Sequence, residues 1–566
     1  MESKEELQRK NTNDKPMRFP FDLIFNQIQR KKLVKGNNER FQVKQLFKGF
    51  ERNNIKAEKK ENDEQKNEKN GESKSKESNT EEKINLHEAE WKHVSEFMQK
   101  YGKKAESQTI NLNNCSLTET DLKELGLHIP SLPDIEEIDL SWNNLIGGSI
   151  NLLTPHLHNV IKLRVLCLSN CSLTPCDISA LGETLEHIPY LEVLDLSWNS
   201  DVSGNLSKVA QRLSPLCKLK ALNLTECDLQ EIDGESLAQA FRKMAQLEVL
   251  DLSLNKRLGC IMNQLVVELK NCSSLKVLNL HSTGLQQDSI QYLSAIFQFW
   301  PNLRVLDLSS NKEAGGGFRE TAARLTTFKN LEQLDIHQCC LSQEDVTSLT
   351  QVIPLLSSLE VLDISSNKRV GVSPEHLFSR LRFLQKLKSL VVSNCNLKEK
   401  SFAALAEATG YLLNLKILDL SWNKCVGGKL RLLFDTLISA TDLQNLVLSS
   451  CNLVTQDLVV LASTAQAGHL ENLQQLDIAY NDTIFDDGWT LFFESFHALK
   501  NIVELDVSLR PASQRSCGQW FPHLLSSLPK LHTLKELSMQ RWLLSPAERQ
   551  QLSHIIMNNN ITIIYD

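Results

Sequence analysis

Gly427-Gly428-Lys429, within the stretch LDLSWNKCVGGKLRLL that begins at Leu418, has the make-up of a phosphate loop. In such loops glycines let backbone N–H groups face a phosphate, a lysine reaches the outer phosphates, and a following Ser or Thr holds the metal. Leu430 stands where that hydroxyl is required, so the nucleotide reading fails. His281 and His337 are possible metal ligands, but they occupy equivalent places on strands two apart. That is roughly 10 Å at ordinary strand spacing, whereas a ligand atom sits about 2 Å from its ion. No nucleophile, base and orienting group fall into a known arrangement. The chain is expected to have no catalytic residue, no metal, no cofactor and no small-molecule substrate.

The glycine pair makes sense as part of something longer. Phrases such as IDLSWNNLIGGSI, LDLSWNSDVSGNL, LDLSSNKEAGGGF and LDISSNKRVGVSP place asparagines at 143, 199, 255, 311, 367, 423 and 481. Between them a second phrase, as in LCLSNCSLT and LVLSSCNLV, places cysteines at 115, 171, 227, 339, 395 and 451, with Thr283 in the one vacant slot. From 115 to 451 the two markers alternate in equal steps, at 115, 143, 171, 199 and onward. The step and the phrase are those of a leucine-rich repeat, with its L-x-x-L-x-L-x-x-N/C-x-L template. Each unit reads strand, turn, helix. Leu or Ile at template positions 1, 4 and 6 points inward. The marker Asn or Cys turns into the loop, where Asn can hydrogen-bond the backbone. In the Asn-type units the glycine permits the tight turn before the helix.

Alternating Asn-type and Cys-type units of this length resemble the ribonuclease-inhibitor-like class of leucine-rich repeats over roughly residues 107–510. The resemblance implies an α/β solenoid, a horseshoe with a concave parallel β-sheet and convex helices, and a binding protein inside the cell. Thr283 departs from the pattern, so its loop is expected to be slightly less well filled. Fourteen clear units, two degenerate ones and a terminal strand are expected. In the degenerate units Arg510 and Trp542 replace the marker.

Strand alternation sends positions 3, 5 and 7 to the concave face. Position 5 is acidic in every Asn-type unit: Asp139, Asp195, Asp251, Asp307, Asp363, Asp419 and Asp477, with Asp506 after them. Either Asp is simply part of the phrase, or it forms a stripe for a basic partner. Position 3 carries Val165, Val193, Val249, Val277 and Val305, with Ala221 between them, and alternation expects an exposed apolar row. Position 8 gives Trp142, Trp198, Trp422 and Tyr480, either as loop packing or as aromatic anchors for a protein partner.

Charge divides the chain. Residues 1–84 hold 21 Lys and Arg against 16 Asp and Glu, whereas the remainder holds 41 against 53. The acidic body disfavours nucleic acid as a partner of the solenoid. Residues 51–83 are nearly all Lys, Glu, Asn and Ser, too little apolar surface to offset ordering entropy, so 1–84 reads as a disordered basic tail. Within it Val43, Leu46, Phe47 and Phe50 follow helical spacing beside Lys44 and Lys48. That is a transient helix, or a docking segment for a partner or an anionic membrane. A capping helix is expected in 85–106 with Trp91, Val94, Phe97, Met98 and Tyr101 on one face, and a C-terminal cap in 511–566. No apolar run reaches the roughly 18 residues of a membrane span, and the start is polar rather than a signal peptide. A cytoplasmic setting, with the nucleus open and secretion disfavoured, fits reduced marker cysteines. The expected role is a protein-interaction scaffold. The alternative is a regulatory subunit that inhibits or activates a partner enzyme.

Overall fold

The computed structural model describes residues 91–104, 108–214, 217–372, 377–559 and 561–565. The expectations for the tail at 1–84 lie outside these residues. Among the described residues seventeen strands, each three residues long, pair in parallel and in sequence order from Thr109–Asn111 to Thr562–Ile564. Among the described residues the first strand pairs only with the second and the last only with its predecessor, so the sheet is open. The seventeen match the expected tally of fourteen clear units, two degenerate ones and a terminal strand. Register is strict: Leu166, Leu194, Leu222 and Leu250 are successive partners.

Three residues suffice for each strand because the inward positions on either side continue the packing. In the fourth unit Leu191, Leu194 and Leu196 are all buried in the core that runs the length of the chain. A solenoid stabilised this way gains apolar burial at every interface between neighbouring units rather than from one enlarging centre. The connecting segments alternate with the markers. Cys-type units carry helices such as Pro175–Leu185, Gln343–Val352 and Thr455–Gln466, while Asn-type units use shorter or 3-10 turns such as Ile150–Leu152 and Ala322–Thr327. Thr174 and Ser342 cap their helices reciprocally with Asp177 and Asp345, satisfying N–H groups that a helix start leaves open.

The ends differ from the middle. Residues 91–100 are helical, with Val94, Phe97 and Met98 buried, Trp91 and Tyr101 half-buried, and the Tyr101 hydroxyl 2.5 Å from Asp121. Toward the other end Trp489, Phe493, Trp520 and Trp542 replace aliphatic packing with an aromatic cluster. The Trp520 and Trp542 rings there lie 4.8 Å apart, edge to face. The lost markers are partly compensated. Trp542 Nε1 donates to Val507 O at 2.9 Å, and Arg510 Nε to Tyr480 O at 3.1 Å. Both reach backward by about one repeat, as the marker asparagines do.

Candidate functional site: the concave face and its edges

The marker asparagines are structural, and their geometry sets everything the strands present. Asn199 Oδ1 accepts from Cys171 N and Leu173 N of the preceding unit, at 3.0 and 3.1 Å. Its Nδ2 donates to Leu168 O, Leu196 O and Ser197 O. One buried amide thereby satisfies backbone groups of two units, and the set recurs at Asn143, Asn255, Asn311, Asn367, Asn423 and Asn481. The alternate marker fills the same space with a thiol: Cys171 Sγ donates to Leu140 O at 3.2 Å and Cys227 Sγ to Leu196 O at 3.3 Å. Burial pushes the thiols of Cys171 and Cys395 up to about 12. Among the described residues no cysteine is in a disulfide. The expectation for Thr283 is corrected. It is as fully buried as the markers Cys227 and Cys339, and its hydroxyl donates to Leu280 O at 2.7 Å.

The phosphate-like loop already binds an anion, and the anion belongs to the chain. Gly428 N and Leu430 N donate to the carboxylate of buried Asp457 at 2.7 and 3.1 Å. Asp177 receives Gly148 N and Ile150 N in the same way, and Asp345 receives Gly316 N and Phe318 N. A Cβ on Gly427 would lie 1.9 Å from Asn452 O, so this close approach requires glycine, while Gly428 has a left-handed φ of 78°. The sequence reading missed these aspartates. Their signal was an Asp three residues after the helix cap, about one repeat beyond each glycine.

Strand alternation placed the Val row on the concave side but gave the wrong exposure. Val165, Val193, Val249, Val277 and Val305, with Ala221 and Cys167, are at most 8 % exposed and form a second apolar cluster of their own. On the inside of a curve, branched side chains one strand spacing apart close over one another. The Asp row is corrected likewise. Asp139, Asp195, Asp251, Asp307 and Asp419 are buried, and Asp363 and Asp477 half-buried. Each accepts the backbone N–H two residues on, for example Ser197 N to Asp195 at 2.9 Å and Ser421 N to Asp419 at 2.8 Å. Burial pushes the Asp419 carboxyl up to about 6, between the apolar neighbours Val391 and Val447. Burial, reinforced by the neighbouring charge of Asp506, raises that of Asp477 too. A stripe of this kind is a strand-end lock before it is a surface charge.

His281 and His337 lie closer than strand spacing alone allows. Their ring centroids are 5.8 Å apart, leaning toward each other over the intervening strand. His281 Nδ1 meets the Ser309 hydroxyl at 2.8 Å, and His337 Nδ1 meets Asp335 at 2.8 Å and Asp363 at 3.9 Å. Burial would lower the His337 pKa, but Asp335, Asp363 and Asp307 outweigh it and raise it to about 10. The ligand-capable atoms of Asp335, His337 and Asp363 fall within 4.8 Å of one another. A cation could enter only by displacing the proton of this ion pair.

Two features border the sheet. At the strand starts, position 2 forms a charge ladder that sequence reading also missed: Glu136, Arg164, Glu192 and Lys220 contact in turn at 3.6, 2.9 and 3.0 Å. Pairs Glu248–Lys276 and Glu360–Lys388 continue it. Burial would raise the Glu192 pKa, but Arg164 and Lys220 hold it below the usual range. Opposite charges one repeat apart were its signal. At the strand ends stand the position-8 aromatics. Trp142, Trp198, Trp422 and Tyr480 all adopt left-handed φ, between 59° and 64°. Trp142 and Trp198 are half-buried with rings 6.4 Å apart, and Trp422 is 55 % exposed.

The comparisons agree with this architecture. A family model described as "Leucine Rich repeat" matches residues 411–429. The ribonuclease inhibitor of Sus scrofa is 28% identical over 416 residues, covering 71% of this chain and 88% of that protein. That of Mus musculus is 27% identical, covering 70% and 86%. The chain is thus similar to ribonuclease inhibitors over about 70% of its length, and its fold is a leucine-rich-repeat solenoid. An NLR family CARD domain-containing protein 4 of Xenopus tropicalis is 24% identical over 79% of this leucine-rich-repeat chain, which spans 48% of that protein. Among the described residues, no helix is long and apolar enough to cross a membrane.

Proposed function

We propose that this leucine-rich-repeat chain is a non-catalytic scaffold that binds protein partners along its concave sheet, with the strand-end aromatics as anchors. One observation carries the reading. Trp142, Trp198, Trp422 and Tyr480 occupy a left-handed position that Ser310 and Ser366 also fill, so the repeat itself does not call for an aromatic ring there. Leu254 and the equivalent residues of the Cys-type units, such as Asn170 and Glu226, share this backbone, so the ring and not the conformation is particular to these four. Trp and Tyr are also the side chains enriched at binding hot spots. The ladder of buried asparagines and aspartates holds them on a rigid frame. The partner is recognised through aromatic contact rather than through the Asp stripe, whose charges are engaged by the backbone. A basic partner, expected from an open acidic stripe, is therefore not required.

A second reading is favoured by the relatives' names: a subunit that blocks a partner enzyme, as the name ribonuclease inhibitor says of those proteins. Under it the partner's active site would face the concavity. Trp422→Ala tests the scaffold reading on the full chain, because an exposed ring can be removed without a core cavity. The melting temperature should hold while partner affinity falls by about 2 kcal/mol or more. Unchanged affinity of every partner would remove the aromatic row as the anchor.

A further inference from the structure

Four residues before the first inward leucine of each unit, the chain leaves its convex side and turns toward the next strand. Most units carry a polar residue there, among them Ser131, Asn159, His187, Lys243, Asn271 and His469. Three consecutive units instead place Leu355, Phe383 and Tyr411 at this register, exposed by 65 %, 52 % and 51 %. Leu413, two residues beyond Tyr411, is 55 % exposed. The strands that follow, Val361–Asp363, Ser389–Val391 and Ile417–Asp419, are in-register neighbours. The turns Ile353–Leu355 and Leu381–Phe383 pack on each other. The apolar side chains therefore form a row along one edge of the solenoid. Since other units place polar residues at this register, the fold does not require the row.

Beside Phe383 the charge has one sign. Arg380, Arg382 and Lys386 are exposed and make no ion pair among the described residues, and residues 377–390 contain no Asp or Glu. Lys388 alone in this stretch is neutralised, by Glu360 at 2.6 Å. The Arg382 guanidinium lies 5.1 Å from the Phe383 ring centroid, so apolar and cationic surfaces are continuous.

We propose that this edge docks an amphipathic helix of a partner protein, its apolar stripe on Leu355, Phe383, Tyr411 and Leu413 and its acidic flank toward Arg380, Arg382 and Lys386. The spacing suits a helix. Neighbouring strands repeat at about 4.8 Å, and residues three or four apart on one helix face advance about 4.5–6 Å. A stripe of helical side chains can thus meet successive units one by one, the helix-in-groove mode of recognition. The chain's own apolar segment at Val43, Leu46, Phe47 and Phe50 is not the occupant, because Lys44 and Lys48 would bring like charge to the site. The inference rests on the reading that the solenoid binds proteins, but it names a second surface.

The test uses the full chain and two fluorescein-labelled synthetic helices about 18 residues long, ample for three units. Both carry leucine at alternate three- and four-residue steps, one with glutamate flanks and one with lysine flanks. The glutamate peptide should bind at least about tenfold tighter at low salt. Phe383→Ser with Tyr411→Ser should weaken it about tenfold at unchanged melting temperature, since both rings are exposed. Arg382→Glu with Lys386→Glu should reverse the preference. Equal binding of the two peptides, no binding of either, or binding indifferent to the Phe383/Tyr411 pair would overturn the proposal. So would binding to phosphatidylserine vesicles with neither peptide bound, which would assign the edge to a membrane surface. If the proposal fails while Trp422→Ala still weakens partner binding, the scaffold reading stands without this second surface.

Discussion

Asp419→Asn isolates the buried acidic row, because the residue sits between Val391 and Val447 with no acidic strand neighbour. Its carboxyl is raised from 3.8 to about 6 by burial, partly offset by hydrogen bonds from Ser421. A raised folded-state pKa means that the native state holds the proton more tightly than the unfolded chain. The contribution is complete below 3.8 and is lost as pH rises through about 6. Between pH 4.5 and 7.5 this one group should take away about 2 kcal/mol of stability from the parent protein. An amide cannot titrate, yet its Oδ1 can still accept the Ser421 N–H, as Asn223 and Asn279 do at the same position for Thr225 and His281. The cost is an Nδ2 without a carboxylate beside it, about 1–3 kcal/mol at either pH. The absolute stability of the variant therefore depends on two opposed terms, while the difference between the two pH values depends on one. Urea denaturation of both proteins at pH 4.5 and 7.5 should show the variant gaining about 2 kcal/mol relative to the parent at the higher pH. A relative change below about 0.5 kcal/mol, or of opposite sign, would refute the claim that Asp419 is desolvated in the fold.

Asn199→Ala should cost at least about 3 kcal/mol in the same denaturation measurement, because it strands several buried backbone groups at once. Gly427→Ala should destabilise far more than Gly428→Ala. The former meets a carbonyl 1.9 Å away, and the latter only a left-handed φ in open space, worth about 1 kcal/mol. Comparison of their melting temperatures checks the order. In native thiol counting Cys176, Cys260 and Cys340, which are exposed, should react first, and buried Cys171, Cys227, Cys339, Cys395 and Cys451 only on unfolding. Stable disulfides among Cys115, Cys171 and Cys227 would contradict it.

The fold was legible because the repeat writes its constraints many times over. Asn143 to Asn481 and the leucines around them each answer the same packing problem, so chance matches cannot imitate the period. The candidate site was less legible, for two physical reasons. Alternation tells which side Val193 or Asp195 faces, but not that neighbours on the inside of a curve will cover it. Contacts between units also need their spacing compared across a whole repeat rather than within a phrase. That hid the Glu136–Arg164–Glu192–Lys220 ladder and the hold of Asp457 on Gly428. The two histidines show the same limit, since strand spacing cannot say that their rings lean together. The position-8 tryptophans were visible, but not the left-handed backbone that this position takes in unit after unit.

Proximity labelling in cells tests the central claim most directly, with three forms compared: the full chain, a form lacking residues 1–84, and the full chain with Trp142→Ala and Trp422→Ala. If the solenoid is the binding element, the labelled set survives the deletion and is lost with the two tryptophans, while the melting temperature of each form stays near that of the parent. If the set survives the tryptophan changes and disappears with residues 1–84, the solenoid is a spacer and the account is contradicted.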